Sequence, residues 1–190
     1  MDHGHAYTEL LRRARESALL ESCAGLLGWD ERTYMPHHGS AHRADQMALL
    51  ARLTHEMLTA PVLGELLATV EASPRVRDAD SDASANVREI RRQYNRAVKL
   101  PKELVEELAR VTTRAQQVWQ EARQANDFAA FQPWLEKVVA LLRQKAQAIG
   151  YKSVPYDALL DEYEPGATTA EITTLFAALR ADLVPLVSSI

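Results

Sequence analysis

Apolar residues recur along this chain at the three-and-four spacing of an α-helix and almost nowhere at the alternating spacing of a strand. The clearest run is Leu104, Leu108, Val111, Ala115, Val118 and Ala122, which share one helical face. Prolines bound the periodic segments. Pro61, Pro101 and Pro155 stand where helices open, because the ring presets φ and lacks only an N–H that the first turn leaves unbonded. Gly150 stands where one closes. The pattern predicts an all-α fold of about seven to eight helices.

The first helix is expected over Tyr7–Leu27, with Tyr7, Leu10, Leu11, Ala14 and Ala18 inward and Gly25 and Gly28 loosening its end. Gly28–His38 reads as a structured turn, and a second helix follows over Ser40–Leu58. A third opens at Pro61 and ends before Pro74, Ser73–Ala85 is a polar loop, and a fourth covers Ala83–Val98. The fifth runs from Pro101 to the break at Asn126-Asp127. The sixth has Pro133 in its first turn and Leu135, Val138, Val139, Leu142, Ala146 and Ile149 as its apolar row. One or two turns follow from Pro155 through Tyr163.

In the last helix, Thr168 and Glu171 have capping-box spacing. Ile172, Leu175, Phe176, Leu179, Leu183, Leu186, Val187 and Ile190 then form one apolar stripe, with Pro185 inside it. The stripe is still running at Ile190, which is the pattern expected of a chain cut within a helix. Residues 1–190 are taken as one helical domain or subdomain with no internal boundary.

A chain of 190 residues with 47% apolar and 25% charged residues can bury a core of its own. Its formal charge of −4 argues against a nucleic-acid surface over the whole domain. The lone Cys23 cannot form an internal disulfide and suits a reducing cytoplasm. Its apolar surroundings, Leu19 to Leu27, mark it as a small buried hydrophobe. No signal peptide is readable in the first residues, and no apolar run is long enough to span a membrane.

Several local patterns touch on chemistry. His55-Glu56 begins like a zinc-protease helix, but the position four beyond His55 is Thr59, and two imidazoles one turn apart are what that site requires. Hydrogen bonding on the helix surface or between helices is preferred. His38 and His42 are four apart, with His37 beside them, but nothing local completes a ligand set. Asp78, Asp80, Asp82 and Glu89 match calcium-loop positions, yet Ala83 stands where that loop needs glycine, so a solvated loop capping the fourth helix is preferred. Arg88, Arg92, Arg96 and Lys99 share a face beside Tyr94, read as solvated or salt-bridged. Asp157, Asp161, Glu162 and Glu164 surround Tyr156 and Tyr163 and read as a charged short helix. No catalytic, cofactor-binding or metal residue is assigned.

Taken in order, longer segments resemble one family. They include residues 27–36 (Leu-Gly-Trp-Asp-Glu-Arg-Thr-Tyr-Met-Pro), 43–50 (Arg-Ala-Asp-Gln-Met-Ala-Leu-Leu), Thr54-His55-Glu56, and 94–101 (Tyr-Asn-Arg-Ala-Val-Lys-Leu-Pro). Trp119 to Arg123, Asp127 to Leu135, Gly150-Tyr151 and Pro155 to Gly166 continue the likeness. Together they resemble the N-terminal part of the carboxypeptidase Taq-type, or thermostable carboxypeptidase 1, metallocarboxypeptidases. The resemblance implies a much longer, almost wholly helical and usually dimeric enzyme that removes single residues from peptide C-termini. It implies zinc, or cobalt, on an H-E-x-x-H helix with a downstream Glu as third ligand and the motif's Glu activating the bound water. Those segments fall beyond the equivalent of Ile190. The chain is therefore expected to hold no cofactor, to be inactive alone, and to meet peptide only within the full-length enzyme. The alternative is a non-catalytic helical interaction or dimerisation module. Trp29, Asp30 and Tyr156–Glu164 are either a wall of the substrate groove or packing and turn residues, and the second is preferred.

Overall fold

The computed structural model describes residues 2–189. Among these it contains eight α-helices, two 3₁₀ turns and no strand, in agreement with the periodicity. The helices are α1 (His3–Thr33), α2 (Ser40–Leu58), α3 (Pro61–Glu71), α4 (Asp82–Ala97), α5 (Lys102–Ala125), α6 (Phe128–Ile149), α7 (Pro155–Leu160) and α8 (Thr169–Ser188). The 3₁₀ turns are His37–Gly39 and Pro74–Val76. The chain divides into two compact units, Met1–Leu141 and Leu142–Ile190.

The core of the first unit lies where α1, α3 and α4 meet. Ala6 and Leu10 of α1, Leu63, Leu66, Leu67 and Val70 of α3 and Val87 of α4 are buried together, with Tyr7, Ile90 and Tyr94 packed against them. Leu10, Leu67 and Val70 lose all contact with solvent, which stabilises the unit by about 2 kcal/mol for each. The other seam joins α2 to α1 and α5. It is built from small side chains: Ala44 and Ala48 of α2 and Ala115 and Ala122 of α5 are buried. Arg110 of α5 pairs with Asp45 of α2 across the rim of this seam and with Glu106 one turn back on its own helix. Such exposed pairs contribute less than about 1 kcal/mol each.

Three expectations are corrected in this unit. The first helix does not stop at Leu27 but continues to Thr33, so Trp29 and Asp30 are helical rather than in a turn. A helical glycine costs only about 1 kcal/mol. That cost at Gly25 and Gly28 is offset by Arg43 of α2, which donates to the Leu27 carbonyl and pairs with Asp30. The helix ends instead where the N–H groups of Tyr34 and Met35 both turn back to the Asp30 carbonyl, one residue ahead of Pro36. Cys23 is exposed, not buried. Ala6, Leu10 and Ser17 define the inward line of α1. That line passes through position 24, and Cys23 stands one residue, about 100°, away from it. Finally, α6 begins at Phe128, with the Ala130 N–H donating to Asp127 Oδ1 at 3.1 Å, so Pro133 lies beyond the first turn. Asn126 in the left-handed conformation (φ 54°) ends α5 so abruptly that Asp127 can cap the next helix at once.

In the second unit, Gly150 ends α6 at φ 85°, with its N–H donating to the Ala146 carbonyl. Ala146, Ile149, Ala158 and Leu160 supply what core there is. The start of α8 is fastened twice. Thr168 Oγ1 accepts from the Glu171 N–H while Glu171 accepts from the Thr168 N–H, the reciprocal capping box its spacing predicts. Asp157 of α7 accepts from both the N–H and the hydroxyl of Thr169. Beyond that first turn α8 buries none of its described residues, so the expected stripe is present but uncovered. Ile190, the last position of the stripe, lies outside the described residues.

Candidate functional site

The most built feature of the first unit is a buried guanidinium. Arg43 is nine-tenths inaccessible and shares out its donors. One nitrogen bonds the Leu27 carbonyl, a second meets Asp30 Oδ2 at 2.5 Å, and Nε donates to Gln46 Oε1 at 3.1 Å. A buried charge is tolerated only when compensated in this way. The node fixes the last two turns of α1 against α2. It thereby sets the directions of Trp29, Glu31 and Arg32. Trp29 rests against Tyr34 with ring centroids 5.6 Å apart, and both rings remain exposed.

Glu31 lies beside this node in a small polar depression with Met35, His37, Gln116, Gln117 and Gln120. Burial raises its carboxyl above the ordinary range, and Arg43 and Arg32 only partly oppose this. Gln117 closes the far side by donating to the His37 carbonyl and to Glu121. Next to it an open groove of about 610 Å³ runs between α5 and α6, floored by Trp119, Phe131, Leu135 and Val138 with Arg32 at its edge. The groove continues past Trp119 and Phe131 to Phe128 and Arg123. It offers apolar surface with a cation at either end, a shape suited to holding a segment of chain rather than to making or breaking a bond.

The sequence motifs take structural positions. His55 is buried, and its imidazole meets the backbone of Leu100; burial pushes its pKa below 6.5 despite that bond and the nearby Glu56 and Glu103. Glu56 turns to Arg52 instead, at 2.9 Å. His37 and His38 stack with ring centroids 5.2 Å apart, and His42 is exposed on α2. Asp78 accepts from the Asp80 N–H, while Ser81 caps α4 by accepting from the Ser84 N–H. Glu89 pairs with Arg92, and Arg88 donates to the Ala79 carbonyl, so the basic face of α4 is engaged. Among the described residues no three His, Cys, Asp or Glu side chains gather around a point where a metal could sit. Nor, among the described residues, is any helix long and apolar enough to cross a membrane.

In the second unit three of the four acids around Tyr156 and Tyr163 are occupied by architecture. Asp157 holds α8, and the two Thr169 bonds keep its carboxyl below the ordinary 3.8. Asp161 accepts from the Gly166 N–H at 3.0 Å, and Glu162 pairs with Lys145 at 2.5 Å. Tyr156 and Tyr163 are left facing solvent. Periodicity missed the Arg43 node and the α5–α6 groove. Both arise between segments far apart in the chain, and the one local hint was an arginine directly beside the inward Ala44.

Residues 9–190 match the sequence model of a family described as carboxypeptidase Taq (M32) metallopeptidase. The chain is 45% identical to thermostable carboxypeptidase 1 of Thermus thermophilus, over 97% of its own length and 38% of that protein. It is 32% identical to thermostable carboxypeptidase 1 of Pyrococcus furiosus, over 96% of its own length and 36% of that one. The crystal structure of a protein named BsuCP is similar, with a TM-score of 0.88 at 29% identity, over 97% of this chain and 37% of that one. The chain thus spans well under half the length of the relatives it matches.

Proposed function

Because the chain belongs to the carboxypeptidase Taq (M32) metallopeptidase family, we propose that it is the N-terminal helical region of a metal-dependent carboxypeptidase and has no peptidase activity alone. The observation that carries this reading is the near-complete match of this chain to only 38% of its Thermus relative. The residues present also do not fit a catalytic zinc. Such a site needs three protein ligands and an open position. Here His55 is engaged by the Leu100 backbone and Glu56 by Arg52. In the complete enzyme, zinc or cobalt would be held by segments outside this match and would activate the water that attacks the last peptide bond.

On this reading the chain works as one helical subdomain in the reducing cytoplasm, where the lone thiol of Cys23 stays free. The groove beside Trp119 and Arg32 would form part of the wall that receives peptide. The test is direct: purified chain is incubated with zinc or cobalt and a blocked dipeptide. We expect no release of the C-terminal amino acid, and release overturns the reading. A second reading, a non-catalytic helical interaction or dimerisation module, draws on the uncovered apolar stripe of α8. Light scattering separates the two, since a clean monomer removes the dimerisation reading.

A further inference from the structure

We propose that the depression between the end of α1 and α5 is a binding site for a small organic ammonium ion, held by Glu31, Gln116 and Gln120. The site is complete within the first unit and needs neither zinc nor a scissile peptide bond to be occupied. Its volume is about 170 Å³, and its lining is polar except for Met35. That space is on the scale of an ammonium group with a short alkyl stem. Glu31 is the only acid among the lining residues, and no lysine or arginine joins it. Arg43 and Arg32 act on its carboxyl only through space, and burial raises it despite them. A half-buried carboxylate in this state lacks the donors that water would supply. Gln116 and Gln120 stand one turn apart on α5, and among the described residues neither gives its side-chain amide to a protein partner. Each amide can present its oxygen, so one carboxylate and two carbonyls line one small space.

The walls are fixed by bonds that leave these acceptors out. Arg43 ties the end of α1 to α2 through the Leu27 carbonyl and Asp30. Gln117 ties α5 to the turn at His37, donating to its carbonyl at 3.0 Å and to Glu121 at 2.9 Å. Charge then selects the class of ligand. An anion would meet Glu31 directly. A cation meets a carboxylate whose buried neighbour Arg43 is already paired with Asp30, and Arg32 is exposed to water that screens it. An ammonium group carries three donors on one compact centre, matching three acceptors on two walls. A divalent metal would need more carboxylate or imidazole ligands than gather here.

The experiment titrates the isotope-labelled chain with ethylammonium chloride at constant ionic strength and follows it by NMR. The side-chain amide signals of Gln116 and Gln120 should move and saturate, with a Kd in the millimolar range, the scale set by so few ligand atoms. Glu31→Gln keeps the shape of the site and removes its charge, and should weaken binding by about tenfold or more. Glu21→Gln removes the same charge from an exposed part of α1 and should leave binding unchanged. Tetramethylammonium carries the charge without N–H donors, and acetamide carries donors without the charge, so neither should saturate these signals. The shift map and both control ligands are read on the unsubstituted chain, so the outcome does not hang on how well Glu31→Gln folds. An equal response to either control ligand overturns the proposal. So do shifts spread over other acidic surfaces rather than centred on the depression, or undiminished binding by Glu31→Gln. A linear diamine and N-acetyl-lysine methylamide separate the sources of the ammonium. Binding of both supports a site that accepts a lysine side chain, binding of the diamine alone supports a site for a free amine, and binding of neither overturns the proposal.

Discussion

Tyr94 of α4 closes on Gly64 of α3 so tightly that a Cβ on the glycine would lie 2.5 Å from the phenolic oxygen and 2.9 Å from Cζ. The ring cannot easily retreat, because Tyr94 packs on the buried cluster of α1, α3 and α4 and carries the Arg91 guanidinium over its face at 5.7 Å. On helix propensity alone, Gly64→Ala would stabilise α3 by about 1 kcal/mol. We expect the opposite sign. Overpacking a filled site costs about 1–3 kcal/mol, so the net change is a loss of roughly 1 kcal/mol. Urea unfolding of Gly64→Ala measures it. Tyr94→Phe in the same background should recover part of the loss by removing the nearest atom.

Arg43 offers a larger effect. Replacing it by Met would leave Asp30 and the Leu27 carbonyl without the donors that hold them to α2. A loss of about 2–4 kcal/mol is expected, since the partners of a removed buried charge are left uncompensated. Arg43→Lys should recover little, because an ammonium cannot bridge three acceptors spread over a planar fork. Chemical denaturation compares the three proteins, and fluorescence of Trp29, one residue from Asp30, follows the end of α1.

The helices were legible because their signals are local. Ser40–Leu58 is read from the sequence with the same ends that α2 has in the fold. The Thr168–Glu171 capping box and the stop at Gly150 are equally plain. The end of α1 was not legible. The residue that sustains it past Gly28 is Arg43, which belongs to another helix and enters the sequence as one more charged position. Cys23 misled for a related reason. It sits among leucines, but which of them face inward depends on where the neighbouring helices α2 and α3 lie, not on their spacing alone. The α5–α6 groove depends on Trp119 and Phe131 meeting from two helices, a juxtaposition that periodicity within either helix does not contain. In α8 the stripe was readable, but its exposure was not, since amphipathicity states which side of a helix seeks cover and not whether cover is present.

The pH dependence of stability should carry the signature of His55. Burial holds its imidazole below 6.5 in the fold, against the Leu100 backbone bond and the carboxylates of Glu56 and Glu103. The unfolded chain therefore takes up the proton first as pH falls. The contribution is fully present above pH 6.5 and is lost as the pH drops from there through the folded value. His55→Gln should flatten this part of the Tm profile below pH 6.5. A profile of equal slope in both proteins would remove His55 as its source. The Glu9 carboxyl, held at about 2 chiefly by Arg12, acts in a separate window, with its contribution lost only as pH falls from 4.5 towards 2.

The start of α8 supplies a local test that global unfolding would miss. Thr168→Ala removes the hydroxyl that accepts from the Glu171 N–H. It also removes the hydroxyl that donates to Glu171 Oε2, while the Thr168 N–H can still do so. Loss of an N-cap threonine costs about 1 kcal/mol, which corresponds to roughly fivefold faster exchange of the first-turn amides if they open locally. Asp157→Asn acts on the same turn from α7. Its carboxylate is kept ionised by the two bonds from Thr169, so its contribution is present above pH 3.8 and lost as pH falls through the lower folded value. If each fastening acts alone, either substitution should speed exchange only near its own bond. If both hold one rigid turn, each should speed the amides of Thr169 and Glu171 alike, and the double variant should fall short of the product of the two. Hydrogen exchange read residue by residue distinguishes these outcomes. We expect the second, because the Thr169 N–H that Asp157 holds is the next donor after the Thr168 N–H that Glu171 holds.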